Sequence, residues 1–441
     1  MSNTSPKSDV ALKTCDVFGR CGACSHLDVP YQEQLAQKHA EIEQLFAPLN
    51  TGVEVAAPLG MSTPYHYRTK VISPFAPAKD AKDLRRLGKN ARTKSQTQQS
   101  SQKKHKSSHH TKDNMPEILT GMYEKGTHRL IPEDHCLLED KRAQGIVPAI
   151  RHIMKRYGME PYDEDTGNGF VRHVVIRVGH DTSEILVTLV TNGETFPASK
   201  AFCRELVTRC PQVTSVVQNI NTRQTNVVLG EKERRLYGPG FILDRLGALT
   251  FRLSSQSFYQ VNPQQALVLY QQAIASADLR PQNTLIDAYC GTGTIGLMAA
   301  KLHENDQVQV IGVDSVDAAI RDARMNASHN GVDNAEFHQG DAGQFLSRWV
   351  ETGELDPDKL VVMMDPPRAG STQEFLSACV KAHPRTIVYI SCNPKTQVRD
   401  VSHLVEQGYQ ITAIQPVDMF PHTDHIENIV TLTREDCKSS D

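Results

Sequence analysis

Cys392, in YISCNPKTQ, follows an apolar run that reads as a buried strand, and the tetrapeptide DPPR (Asp365 to Arg368) lies upstream of it. A cysteine is partly thiolate near neutral pH and intrinsically nucleophilic. Placed at the end of a strand, in a chain that also carries the glycine-rich DAYCGTGTIG, such a thiol points to covalent chemistry on a planar base. Carbon 5 of uracil is a poor nucleophile. Addition of a thiolate at carbon 6 makes carbon 5 enolate-like and able to take a methyl group. A base must then remove the carbon-5 hydrogen before the thiolate can leave. Glu427, in PHTDHIENIV, is the candidate for that proton, with His422 and His425 close in sequence. A lone cysteine is more often a buried structural thiol. The company of DPPR and the glycine loop favours the nucleophile here.

A second group of cysteines suggests metal ligation. Cys15, Cys21 and Cys24 cluster in TCDVFGRCGAC, and Cys136 lies in PEDHCLLED. In a reducing compartment this spacing argues against disulfides. A zinc ion and an iron-sulfur cluster both accept four thiolates, and spacing alone leaves both open.

The net charge of -3 carries no global nucleic-acid signal, so any affinity for RNA must be local. Residues 78 to 112 hold eight Lys and three Arg against two Asp, which leaves the remainder of the chain at -12. With almost no large apolar residue, this stretch reads as a disordered basic loop inserted in a folded domain. The chain has no apolar run long enough for a bilayer, and its polar start lacks a signal-peptide core. A soluble cytoplasmic protein is expected.

The elements that must position these residues fall into three stretches. Residues 1–50 hold the cysteine cluster and one packing helix, with apolar positions Leu35, Ile42, Leu45 and Leu49 at helical spacing. Residues 51–250 read as a central α/β platform. FVRHVVIRVG and EILVTLVT form an antiparallel pair, VTSVVQNI, NVVLG and LTFRLS are further strands, and helices fall near 145–157 and 199–209. From 251 to 441 strands and helices alternate, the strands being TLIDAY, QVIGVD, LVVMMD and TIVYIS. Runs apolar on both faces require a mostly parallel, doubly wound sheet, with ligands at the carboxyl ends of its strands. The glycine loop, Asp314 in GVDS, and Asp365 fall at such ends. An acid at the second strand end suits ribose hydroxyls, although dinucleotide enzymes share that logic. Arg368 stands where methyltransferases of exocyclic amines place an aromatic residue, which argues against amine methylation.

Taken together, C-x5-C-x2-C with a later cysteine, SFYQVNP, DAYCGTGTIG, DPPRAG, SCNP and DMFPHTDHIE resemble the RNA uracil-C5 methyltransferase family, more closely its cluster-bearing 23S ribosomal RNA branch. The resemblance covers nearly the whole chain outside the basic insertion. It implies a C-terminal Rossmann-like class I methyltransferase domain, a central RNA-binding platform and an N-terminal iron-sulfur segment, without the N-terminal β-barrel of many relatives. It also implies Cys392 as nucleophile and Glu427 as general base, with Gln260, Tyr289, Asp314 and Asp365 around S-adenosylmethionine. Cys15, Cys21, Cys24 and Cys136 would hold a [4Fe-4S] cluster. The implied substrate is a loop or single-stranded uridine of 23S rRNA, met by a monomer. The alternatives are a transfer RNA uracil-54 enzyme and a noncatalytic RNA-binding cluster protein.

Overall fold

The computed structural model describes residues 12–79, 115–124, 126–127, 129–353 and 355–434. The basic stretch 78–112 lies almost wholly outside them. The contacts divide the chain into two units. One comprises residues up to 19, 23–64 and those from 264 onward; the other comprises 20–22 and 65–263. No helix among the described residues is long and apolar enough to cross a bilayer.

Helix α1 (Tyr31–Phe46) opens the first unit. Its buried stripe is Gln34, Lys38, Ile42 and Phe46, spaced at i, i+4, i+8 and i+12, so the face turned inward is apolar at one end and polar at the other. The sequence pattern through Leu35, Leu45 and Leu49 marks the flank of this face; those three side chains are half-buried.

In the other unit β1 (Lys70–Pro77), β2 (Ile118–Tyr123), β3 (Leu130–Pro132), α2 (Ile146–Tyr157), β4 (Val171–Val178), β5 (Ile185–Thr191), α3 (Ser199–Arg209), β6 (Val213–Ile220) and β7 (Lys232–Tyr237) follow in turn. They build a seven-stranded sheet in the order β3-β2-β1-β4-β5-β6-β7. Neighbours are antiparallel except β5 and β6, which α3 connects as a crossover. One face is a core of Val71, Val174, Ile176, Val187 and Val216 against Ile150 of α2 and Phe202 of α3. A hairpin of β8 (Ile242–Leu246) and β9 (Leu249–Leu253) follows. The expected strand NVVLG is instead a loop. The Asn221 amide donates to the carbonyls of Val227 and Val228, and this side-chain anchor curls the segment out of the ladder. The strand that takes its place, KERRLY, is almost wholly exposed, a charged edge of the kind that discourages further pairing.

The first unit continues with α4 (Pro263–Ser276), β10 (Thr284–Ala288), α5 (Thr294–Leu302), β11 (Gln309–Asp314), α6 (Asp317–His329), β12 (Ala335–Gln339), α7 (Ala342–Thr352), β13 (Leu360–Met364), α8 (Gln373–Ala382), β14 (Thr386–Ser391), α9 (Pro394–Glu406), β15 (Tyr409–Val417) and β16 (Glu427–Arg434). The sheet order is β12-β11-β10-β13-β14-β16-β15, parallel throughout except for β16, which runs antiparallel to both neighbours. This is the expected doubly wound α/β sheet. Its central strands β13 and β14 are buried on both faces, which explains their unbroken apolar sequences.

The polar end of α1 grips the loop between β15 and β16. The Lys38 ammonium lies 2.7 Å from the fully buried Asp418 carboxylate and donates to the carbonyl of His425 at 2.9 Å. Tyr31 donates to the second Asp418 oxygen at 2.8 Å. Gln34 accepts from the His422 backbone N–H at 3.0 Å while its amide nitrogen stands 3.0 Å from the His422 ring. Ser25 and His26 add contacts to Asp424 at 2.9 and 2.5 Å. The segment after the cysteine cluster and α1 therefore fix the loop that ends at Glu427. Removing one partner of a buried ion pair strands the other charge. Lys38→Met is expected to cost the first unit about 3–5 kcal/mol, and Lys38→Met/Asp418→Asn to recover part of it, read from the midpoint of that unit's chemical unfolding.

Candidate active site

Two strand ends meet at the centre of the first unit. The register of β14 and β16 pairs Ser391 with Asn428, so Cys392 and Glu427, the next residue out on each strand, face one another past the end of the ladder. Gln397 locks this register from α9. Its amide donates to the carbonyls of Tyr389 and Asn428 and accepts from the Asn428 amide at 2.8 Å. Cys392 is half-buried, and Asn393 and Pro394 behind it begin α9 with proline in the first helical turn. The thiol thus stands at a positive helix end.

The charges around the sulfur oppose one another. Burial, then Glu427 and Asp365, push the Cys392 thiol above its ordinary range, while Arg368 pulls it down by its charge and by a hydrogen bond to the sulfur. Glu427 is 4% exposed. Burial first and Asp365 second hold its carboxyl well above the carboxylate range, with Arg368 again opposing. Burial raises Asp365 as well. One guanidinium therefore serves both the thiol and the Glu427 carboxyl. The sequence reading used Arg368 to exclude a chemistry and missed this role; its place three residues after Asp365 was the available signal.

The DPPR loop is held by the SCNP side. Asn393 donates to the Arg368 carbonyl at 3.0 Å and Arg399 to the Ala369 carbonyl at 3.1 Å. Fully buried Asp400 accepts from the Ser371 N–H at 2.8 Å and from the Tyr389 hydroxyl at 2.7 Å. The Ser371 hydroxyl in turn lies 3.0 Å from that of Tyr289. A chain of hydrogen bonds thus runs from β14 to the glycine loop through an aspartate that no motif announces.

At the end of β10, Tyr289 adopts a left-handed backbone (φ 64°), a sparsely populated state for a residue with a side chain. Its ring packs edge-on against Phe375. The Gly291 N–H donates to Asp314 at 2.9 Å and the Val316 N–H to its other oxygen at 2.8 Å. Asp314 thus braces the loop and keeps its remaining lone pairs for a ligand. A side chain at Gly291 would meet nothing within 4 Å, so open space lies above the loop. Beneath it Asp287 accepts from Gly296 at 2.9 Å, and burial, with Asp365 and Asp314 adding, pushes its carboxyl up to about 7. Two further carboxylates crowding the buried Asp287 suit a cation, and a sulfonium cofactor carries one. Tyr289, Asp314 and Asp365 come together here; Gln260 sits half-buried in the loop after β9 of the other unit.

Of the four cysteines Cys21 is buried, and Cys15, Cys24 and Cys136 are half-buried. Among the described residues no group of three or more His, Cys, Asp or Glu side chains gathers as a metal site. The Cys136 thiol is pushed up to about 12 by burial first, then by Glu139, with Cys21 adding. Burial thus makes the Cys136 thiol slow to give up the proton that a metal ligand must lose.

A profile of the tRNA (uracil-5-)-methyltransferase family matches residues 242–435. An uncharacterised RNA methyltransferase of Oceanobacillus iheyensis is 38% identical over 95% of this chain and 82% of its own length. One from Listeria innocua is 38% identical over 95% and 83%. Among solved structures, the tRNA (uracil-54, C5)-methyltransferase of Pyrococcus abyssi in complex with S-adenosyl-L-homocysteine aligns with a TM-score of 0.70 and 25% identity, covering 94% of this chain and 86% of that one. A strand-end thiol opposite a buried acid, beside a loop suited to a sulfonium, is the chemistry those relatives share a fold with, and the chain belongs to the S-adenosylmethionine-dependent RNA uracil-C5 methyltransferase family.

Proposed function

We propose that the chain methylates carbon 5 of one specific uridine in 23S ribosomal RNA through a transient covalent adduct. The observation that carries this reading is the facing pair Cys392 and Glu427, with Arg368 on the sulfur. Cys392 forms a bond to carbon 6 as its thiolate, which Arg368 and the start of α9 favour. S-adenosylmethionine, which Tyr289, Asp314 and Asp365 would hold, supplies an electrophilic methyl group on a positive sulfur. Carbon 5 of the adduct takes that methyl. Glu427 then accepts the carbon-5 proton, the electron pair re-forms the ring double bond, and the sulfur–carbon 6 bond breaks. A uridine already in a loop spares most of the cost of unstacking.

The cluster belongs to this proposal too. The N-terminal spacing and the resemblance support Cys15, Cys21, Cys24 and Cys136 as ligands of a [4Fe-4S] group. Iron and sulfide content of anaerobically prepared protein is expected to show the cluster, and Cys136→Ser to lose it without loss of the α/β spectrum.

Transfer RNA uracil-54 is the second reading, favoured by the Pyrococcus abyssi likeness. Trapping separates the two, because fluorine cannot depart from carbon 5 as a proton does. With S-adenosylmethionine present, 5-fluorouridine-substituted 23S rRNA is expected to form a denaturant-stable adduct on gels and substituted transfer RNA none, while Cys392→Ala forms neither. An adduct with transfer RNA alone would move the substrate; an adduct in Cys392→Ala would sink the nucleophile.

Burial raises the Glu427 carboxyl from 4.5 to about 8, so the folded chain binds this proton more tightly than the unfolded chain. Its stabilising contribution is full below pH 4.5 and is lost as pH rises through about 8. Glu427→Gln cannot ionise. Thermal melts are expected to place it above the parent at pH 8, with the gap closing toward pH 4.5. Its methylation rate should fall by about 10²–10⁴-fold.

A further inference from the structure

The 65–263 unit holds two cations that no step above uses. The antiparallel register of β1 and β4 sets Lys70 directly opposite Arg177. Both lie on the sheet face turned away from the core of Val71, Val174 and Ile176. Like charges directly opposed across strands are destabilising, and burial aggravates the repulsion. Arg177 is 4% exposed and Lys70 half-buried. Among the described residues neither side chain has a carboxylate within ion-pair distance.

Arg177 donates to the carbonyl of Ser257, yet its Nε is buried without a partner. On the same face the Thr188 hydroxyl, opposite Val175 on the next strand, is also buried and unpartnered. Buried donors in native proteins are nearly always satisfied, so an orphaned guanidinium N–H directly opposite a second cation marks a place for an anion. Burial and the facing Arg177 lower Lys70 to about 8, consistent with a charge that lacks its counterpart. The same strand end is tied to the SFYQVNP loop. The Thr69 N–H and hydroxyl both donate to the Val261 carbonyl, at 2.7 and 3.1 Å.

We propose that Lys70 and Arg177 form a binding site for a backbone phosphate of the RNA substrate, beside the loop that carries Gln260. The inference rests on the RNA substrate proposed above. A phosphodiester supplies oxygens that accept from both cations at once, which turns the opposed pair from a liability into a clamp. A carboxylate of the cofactor is the other anion this enzyme meets, and the test separates the two.

Lys70→Met removes one charge and keeps the stem. Its equilibrium binding to a uridine-containing single-stranded RNA oligonucleotide, followed by anisotropy across a salt series, is expected to weaken about fivefold at low salt, with the log–log salt slope reduced by about 0.7. Its melting temperature should rise, because the repulsion on Arg177 is gone; a structural role for Lys70 would lower it. Lys70→Arg should restore affinity and slope. Calorimetric affinity for S-adenosylmethionine should match the parent. An unchanged slope overturns the proposal, and so does a loss confined to S-adenosylmethionine. Binding is read without turnover, so absence of 5-methyluridine formation by the parent would refute the reaction and leave this site to be judged on its own slope.

Discussion

The pairing of β16 against β14 is the constraint on which the reactive centre depends. Had the last strand joined in parallel, its first residue would lie at the opposite end of the sheet from Cys392. Running antiparallel, β16 delivers Glu427 to the carboxyl end of β14, where a doubly wound sheet collects its ligands. The Gln397–Asn428 amide pair fixes that register, since a slip by one residue would turn Glu427 to the other face. From the far side, α1 grips the incoming loop with a buried ion pair. Such a pair is weak evidence for stability; here it defines one loop path among several.

The second theme is excess negative charge. Asp287, Asp314, Asp365 and Glu427 crowd the strand ends, and burial raises Asp287, Asp365 and Glu427, with Arg368 opposing the rise of Glu427. A site so arranged holds protons while empty of positive charge and gives them up when a cation arrives. The opposed cations Lys70 and Arg177 in the other unit follow the converse logic, being incomplete without an anion.

Much of the parallel sheet was legible in the sequence. TLIDAY, QVIGVD, LVVMMD and TIVYIS are strands as read, and in the two central ones, LVVMMD and TIVYIS, burial on both faces leaves the apolar run that marks them. The helices near 145 and 199 were equally plain from their spacing. NVVLG misled because composition does not show that the Asn221 side chain captures its carbonyls. KERRLY was passed over because an exposed edge strand lacks the apolar alternation that identifies its neighbours. Lys38 and Gln34 look like solvent positions on a helix and are buried, since their partners lie some 380 residues away.

The sequence by itself determined which groups can do chemistry: a thiol before Asn-Pro, an acid after a histidine-rich turn, a glycine loop and an acid at a strand end. Those are local facts, written in residue type and short spacing. The tertiary structure decided which of them meet and in what state of charge. Arg368 reaches the sulfur, Asp400 joins Tyr389 to the Ser371 loop, and burial raises the acids, because long-range pairing and the exclusion of water depend on how the strands are stacked and on nothing that adjacent residues encode.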